Sequence, residues 1–142
     1  MASDAVVVAE DDPDVRNGLV YILQREYDVV AAVENGEQLL NALQRFRPGL
    51  AVIDVSMPVL NGLEALREIQ AKEIEVKAVM VSANADPAYV REALRLGALG
   101  YVLKSSAVEE LSQALRAASK SRTLISRGIR FPRAGENWTP NQ

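Results

Sequence analysis

Four apolar runs in this 142-residue chain end in side chains that can do chemistry. Residues 6–9 lead into Glu10, Asp11 and Asp12. Residues 50–53 deliver Asp54, which is followed by Val55, Ser56, Met57 and Pro58. Residues 78–81 end in Ser82, and residues 101–103 end in Lys104. As buried strands of one open α/β sheet, these runs would place all four groups in the crevice at the strands' C-terminal ends, where such sheets bind ligands. Paired carboxylates hold a hard cation through oxygen. An isolated Asp can accept a phosphoryl group as a mixed anhydride. An ammonium and a hydroxyl can neutralise and hydrogen-bond the transferred oxygens. Each residue also has a plainer reading. Acids at 10–12 can be a solvated cluster favoured by a helix dipole, with Asp12 as the cap. Asp54 can be a turn residue. Ser82 and Lys104 can be ordinary loop and surface groups. Tyr101 reads as a half-buried ring whose hydroxyl reaches a polar partner. Their joint occurrence on strand ends favours phosphoryl chemistry with a divalent cation.

The composition narrows the chemistry further. There is no Cys, hence no disulfide framework and no thiolate metal site. There is no His, which removes the usual general base and the commonest transition-metal ligand. Oxygen-ligated Mg²⁺, Mn²⁺ or Ca²⁺ remain. With 49% hydrophobic and 25% charged residues, the chain reads as one soluble domain with a sizeable core. No stretch approaches a membrane span, and the start has no basic or long apolar leader, so a cytoplasmic protein is expected. The net charge of −3 hides an asymmetry: residues 1–119 carry 11 basic and 18 acidic groups, and residues 120–142 carry five and one. The acidic body is a poor nucleic-acid surface.

Strand and helix patterns alternate five times along residues 5–119. Asp12-Pro13 predicts a capped helix start with Pro at the first helical position, and Val15, Leu19, Ile22 and Leu23 follow with helical period. Residues 29–33 read as the second strand. Asn35 and Gln38 open the next helix, whose apolar stripe is Leu39, Leu43 and Phe46, and Arg47-Pro48-Gly49 breaks it. Asn61 and Glu64 form a capping-box pattern before Leu66 and Ile69. Asp86-Pro87 repeats the cap-plus-proline start, with Val90, Ala93 and Leu94 following, and Gly97 stops that helix. Ser106 and Glu109 form another capping-box pattern before Leu111, Leu115 and Ala118. Strands that are apolar throughout and separated by helices predict a doubly wound, five-stranded parallel sheet covered on both faces. After Ser119 the pattern stops, and residues 120–142 read as a basic linker, most of it a mobile tether.

Glu10, Asp11, Asp54, Ser82, Tyr101 and Lys104, in this order and on these elements, resemble the receiver domain of two-component response regulators. The resemblance spans about residues 5–119. It implies a flavodoxin-like (βα)5 fold with strand order 2-1-3-4-5. It implies that Asp54 is the phosphoacceptor and that Glu10, Asp11, Asp54 and the backbone carbonyl of Ser56 hold Mg²⁺. Lys104 would pair with the phosphoryl group, and Ser82 and Tyr101 would be the switch pair. Glu10 stands where Asp is commoner, and Ser105 where many receivers have Pro. The segments 12–19, 57–65 and 97–105 are similar to the NarL/LuxR-type subfamily, in which a receiver is joined to a C-terminal helix-turn-helix. Trp138-Thr139-Pro140 resembles the start of that DNA-binding domain. The implied partners are a sensor histidine kinase and, through an absent C-terminal domain alone, DNA. The resemblance also admits a homodimer.

The function expected is therefore a stoichiometric phosphoacceptor switch, not an enzyme, that controls transcription. A free-standing receiver acting by protein contact is the first alternative. A Mg²⁺-dependent phosphohydrolase with an Asp nucleophile is the second. Haloacid-dehalogenase-like enzymes carry that nucleophile in an Asp-x-Asp motif on the first strand, whereas here Asp54-Val55-Ser56 follows the third.

Overall fold

The computed structural model describes residues 5–130. The alternation predicted from the apolar runs is present as β1 (Ala5–Ala9), α1 (Pro13–Leu23), β2 (Asp28–Val33), α2 (Gly36–Phe46), β3 (Leu50–Asp54), α3 (Gly62–Ala71), β4 (Lys77–Ser82), α4 (Pro87–Arg95), β5 (Gly100–Leu103) and α5 (Ala107–Ser119). The sheet is parallel, with order β2-β1-β3-β4-β5 as the family resemblance implied. It does not stop at five strands. A sixth, β6 (Leu124–Ile125), pairs parallel to β5. Two residues are too few to show an alternating pattern, so this strand is silent in the sequence. The linker reading of residues 120–142 is therefore corrected for its first part, which adds to the sheet. Trp138 and the rest of 131–142 lie outside the described residues.

Alternation along each strand divides the core into two layers. Val6, Val8, Leu50, Val52, Val79, Val81 and Val102 pack against α1 and α5. Val7, Ala9, Ala51, Ile53, Ala78, Met80 and Tyr101 pack against α2, α3 and α4. The inner strands are buried except at the first residues of β1 and β4, which is why they read as apolar runs. β2, at the edge opposite β6, stays partly exposed.

The helix starts follow their sequence signals, with two departures. Asp12 accepts hydrogen bonds from the Asp14 and Val15 amides, and Asp86 from Ala88. Asn61 and Glu64 make both bonds of a capping box. Asn35 caps α2 through the Gln38 amide, but the Gln38 side chain accepts from Glu34 instead of closing the box. The box expected at Ser106 is absent. A 3-10 turn, Lys104–Ser106, leads directly into α5, and the Ala107 amide bonds the Lys104 carbonyl in its place. Phe46, expected in the α2 stripe, is exposed at the helix end with the Arg45 guanidinium 5.2 Å from its ring centroid. Gly97, at φ +99°, ends α4 in a conformation that favours glycine. No helix among the described residues is long and apolar enough to cross a membrane.

Gly18 lies in the middle of α1 with open space where a Cβ would be. Glycine there costs helix stability with no compensating contact. Gly18→Ala is expected to stabilise the domain by about 0.5–1 kcal/mol, read as a raised urea midpoint with an unchanged denaturant slope.

Candidate functional site

The C-terminal ends of β1, β3 and β5 converge on one open cleft of about 510 Å³, lined among others by Glu10, Asp11, Asp54, Ser56 and Lys104. Strand parity explains the convergence. Val8 pairs with Val52 on the α1/α5 face, so Glu10 and Asp54, each two residues on, emerge side by side. Both are almost completely buried, whereas Asp11 is exposed. Ligand oxygens of Glu10, Asp11 and Asp54 lie within 4.8 Å of one another. Lys104 Nζ lies 2.7 Å from Glu10 Oε1 and 3.2 Å from Asp54 Oδ2. A larger groove of about 1000 Å³ lies at the other end of the sheet, against Gly49 and Lys77. It lacks a buried acidic cluster and sits at the strands' N-terminal ends, the wrong end for this fold's ligand crevice.

Backbone groups hold the acids in place. The Ser56 amide donates to Asp54 Oδ1 at 3.1 Å, and the Asp12 amide to Glu10 Oε2 at 3.1 Å. Arg16 donates to the Glu10 carbonyl. Of the acidic run, Asp12 is the helix cap, as its position before Pro13 predicts, and Glu10 and Asp11 are free for the cleft. Glu10 Oε1 is buried, and the Lys104 ammonium 2.7 Å away is its partner. The loop after β3 folds back so closely that a Cβ on Gly62 would stand 2.3 Å from the Asp54 carbonyl oxygen. Only glycine permits that approach. Within the same loop, exposed Val59 adopts φ +69°, a left-handed conformation that is rare for a β-branched residue.

The charges interact strongly. Burial, followed by the Glu10 carboxyl, pushes Asp54 from 3.8 up to about 7, against the opposing pull of the Ser56 amide and Lys104. Burial alone would lower the Lys104 ammonium, but Glu10 and Asp54 outweigh it and hold the group above its ordinary value. Two buried carboxylates thus share one ammonium, an arrangement that fits a hard dication.

Ser82 and Tyr101 form a second cluster on the opposite strand parity, outside the lining of the cleft. Ser82 Oγ accepts from the Asn84 amide at 3.0 Å, and the Tyr101 hydroxyl donates to the Asn84 carbonyl at 3.0 Å. The Tyr101 ring is fully buried instead of half-buried, and burial pushes its hydroxyl pKa up. The Asn84 backbone thus bonds both residues, and the Ser82 side chain also acts directly on the Tyr101 hydroxyl. Two polar residues escaped the sequence reading. Glu110 and Ser126 are buried against each other behind β5. An acid among Ala107, Leu111 and Ala114 on the buried stripe of α5 was the available signal.

Residues 6–116 match the family described as "Response regulator receiver domain". The chain is a response-regulator receiver domain. The receiver is 31% identical over 122 residues to the transcriptional regulatory protein DegU of Brevibacillus brevis, covering 84% of this chain and 52% of DegU. It is 30% identical to the probable transcriptional regulatory protein NarL of Mycobacterium tuberculosis, covering 92% of this chain and 62% of NarL. A solved LuxR-family two-component response regulator from Aurantimonas superposes with a TM-score of 0.84 at 29% identity, covering 89% of this receiver and 92% of that chain. Its relatives are regulators of NarL/LuxR type, and it spans little more than half the length of the curated ones.

Two expectations follow from this geometry. Asp54 holds its proton more tightly folded than unfolded, so its ionisation removes stability as pH rises from 3.8 towards 7. Without divalent cation at pH 8, Asp54→Asn is expected to stabilise the receiver by on the order of 1–2 kcal/mol, with the gain shrinking towards pH 4; urea unfolding at both pH values measures it. Val59→Gly is expected to add about 1 kcal/mol by relieving the left-handed backbone, read from thermal melting.

Proposed function

We propose that Asp54 of this receiver accepts a phosphoryl group from a histidine kinase, with Mg²⁺ held by Glu10, Asp11, Asp54 and the Ser56 backbone carbonyl. The observation that carries the reading is the buried Asp54 carboxylate, 3.2 Å from Lys104 and flanked by two more carboxylates at the sheet edge. Bound Mg²⁺ would neutralise charge on the transferring group. An Asp54 oxygen forms the new bond to phosphorus as the phosphorus–nitrogen bond of phosphohistidine breaks, and the imidazole leaves with the electron pair and takes up a proton. The Ser56 amide holds the other carboxylate oxygen and orients the nucleophile. Lys104 leaves its contact with Glu10 and Asp54 to pair with the phosphoryl oxygens. Ser82, freed from the Asn84 amide, turns to hydrogen-bond the phosphoryl group, and Tyr101 repositions because Asn84 links the two.

This makes the receiver a stoichiometric switch, not a turnover enzyme, acting in the cytoplasm. The regulatory unit takes in the sheet through β6 and the buried Ile129, and the chain beyond it leads towards a helix-turn-helix output domain that would bind DNA. That DegU and NarL are transcriptional regulatory proteins supports that assignment.

With Mg²⁺ and acetyl phosphate, intact mass should rise by one phosphoryl group, and Asp54→Asn should abolish the gain. Undiminished labelling of the variant would put the acceptor elsewhere. Turnover of small phosphate esters would instead favour a phosphohydrolase. Lys104→Ala should still fold and accept phosphate, but the NMR shift changes around Tyr101 on phosphorylation should be lost. Equal changes in the two proteins would remove Lys104 from the switch.

A further inference from the structure

Two walls of the acidic cleft come from different parts of the chain. Glu10 and Asp11 follow β1, and the Glu10 amide donates to the Val33 carbonyl at 2.9 Å, which joins this wall to the end of β2. Three residues past Val33 the chain has entered α2, whose first residue is the buried Gly36. Across the cleft, Ser56, Met57 and Pro58 belong to the loop between β3 and α3. That loop is closed at its base, where the Gly62 amide donates to the Val55 carbonyl at 2.9 Å. Its apex is a γ-turn. The Leu60 amide donates to the Pro58 carbonyl at 2.8 Å around Val59, which stands at φ +69°. The positive-φ form of this turn is the rare, strained one.

One contact joins the apex to α2. The Gly36 amide donates to the Leu60 carbonyl at 3.0 Å. A Cβ on Gly36 would run into that carbonyl oxygen and stand 2.8 Å from the Leu60 Cβ. The helix cannot give way, because Leu39, Ala42 and Leu43 are buried in the core. The loop is therefore fastened at base and apex, and Ser56 lies between the two attachments. Val59 is 75% exposed, so no packing of its side chain explains its backbone. Fixed ends on a short segment do explain it, since strain persists only where the surroundings impose it.

A carbonyl held this firmly matters to a hard cation. Mg²⁺ demands near-ideal octahedral geometry at about 2.0–2.1 Å, whereas Ca²⁺ accepts flexible geometry at about 2.3–2.6 Å. Displacing one ligand in any direction thus costs Mg²⁺ more than Ca²⁺. We propose that the Gly36–Leu60 contact is a strut that sets the ion preference of the cleft, by keeping the loop that carries the Ser56 carbonyl in one place. Gly36 and Val59 are then positioning residues for the dication, although neither lines the cleft. The inference rests on the reading in which Ser56 helps hold Mg²⁺, and adds what makes the site favour the smaller ion.

The experiment titrates the full 142-residue chain with Mg²⁺ alone and with Ca²⁺ alone. Calorimetry gives the affinities, and the amide NMR shifts of Glu10, Asp11 and Ser56 locate the ion. Gly36→Ala forces the strut apart, and Val59→Gly slackens the turn. Val59→Gly should melt higher than the parent, so a weaker site in it does not report a weaker fold. If Gly36→Ala fails to fold, Val59→Gly decides alone. The parent should prefer Mg²⁺. In each folded variant Mg²⁺ affinity should fall about tenfold, as for other groups that orient metal ligands. Ca²⁺ affinity should change by less than about twofold. Gly18→Ala, whose new methyl meets open space on α1, should leave the ratio of the two affinities unchanged. General loosening would weaken both ions alike. An unchanged ratio in either folded variant, a parent that prefers Ca²⁺, or an equal drop in Gly18→Ala overturns the strut. A parent that binds Mg²⁺ with shifts at Glu10, Asp11 and Ser56, beside variants of unchanged ratio, rejects the strut alone. A parent showing no such shifts rejects the Mg²⁺ reading and the strut with it.

Discussion

The contact between one ammonium and two buried carboxylates governs the rest of this molecule. Glu10 and Asp54 are like charges taken out of water on adjacent strands, and Lys104 is the cation that makes this tolerable. The desolvation cost of such a group can exceed its Coulombic gain, so the cluster is a source of tension more than of stability. Its excess negative charge is what suits it to a dication, and a group added at Asp54 would compete for the same Lys.

The remaining architecture serves to hold that tension in place. Unbroken apolar strands anchor each charged residue immediately after a rigid, doubly covered segment, so the carboxylates cannot retreat into solvent. Parity then separates two side-chain clusters on one sheet edge. Side chains of the α1/α5 parity meet in the cleft, while Ser82 and Tyr101 emerge on the other side and communicate through Asn84. The loop carrying Ser56 is pressed against the Asp54 backbone by way of Gly62, which positions the amide that orients Asp54. The left-handed Val59 in that loop is strain retained beside the site, as is common where function constrains backbone.

Beyond β5 the same sheet continues into what reads as featureless linker. β6 covers an edge that would otherwise present unpaired amides and carbonyls, and the buried Glu110–Ser126 pair fastens it. The chain leaving the domain is thus attached to the strand that carries Tyr101 and leads into Lys104.

Elements with many residues of consistent pattern were legible from the sequence. Five apolar runs, Asp-Pro starts at 12 and 86, and the Asn61/Glu64 box identified strands and helix starts, because periodicity and capping are local physics. The strand-end cluster of Glu10, Asp11, Asp54 and Lys104 was legible too, since a polar residue directly after a buried strand has few places to go. Tertiary structure decided what depends on distant partners. It exposed Phe46 at a helix end, replaced the Ser106 cap with a 3-10 turn, and buried Tyr101 completely. It made Asn84 a bridge and Ser126 a fastener, roles set by atoms 17 and 16 residues away along the chain. A two-residue strand such as β6 has no period of its own. It exists because β5 offers an unpaired edge and Glu110 a buried acceptor, and neither fact is written in residues 120–130 themselves.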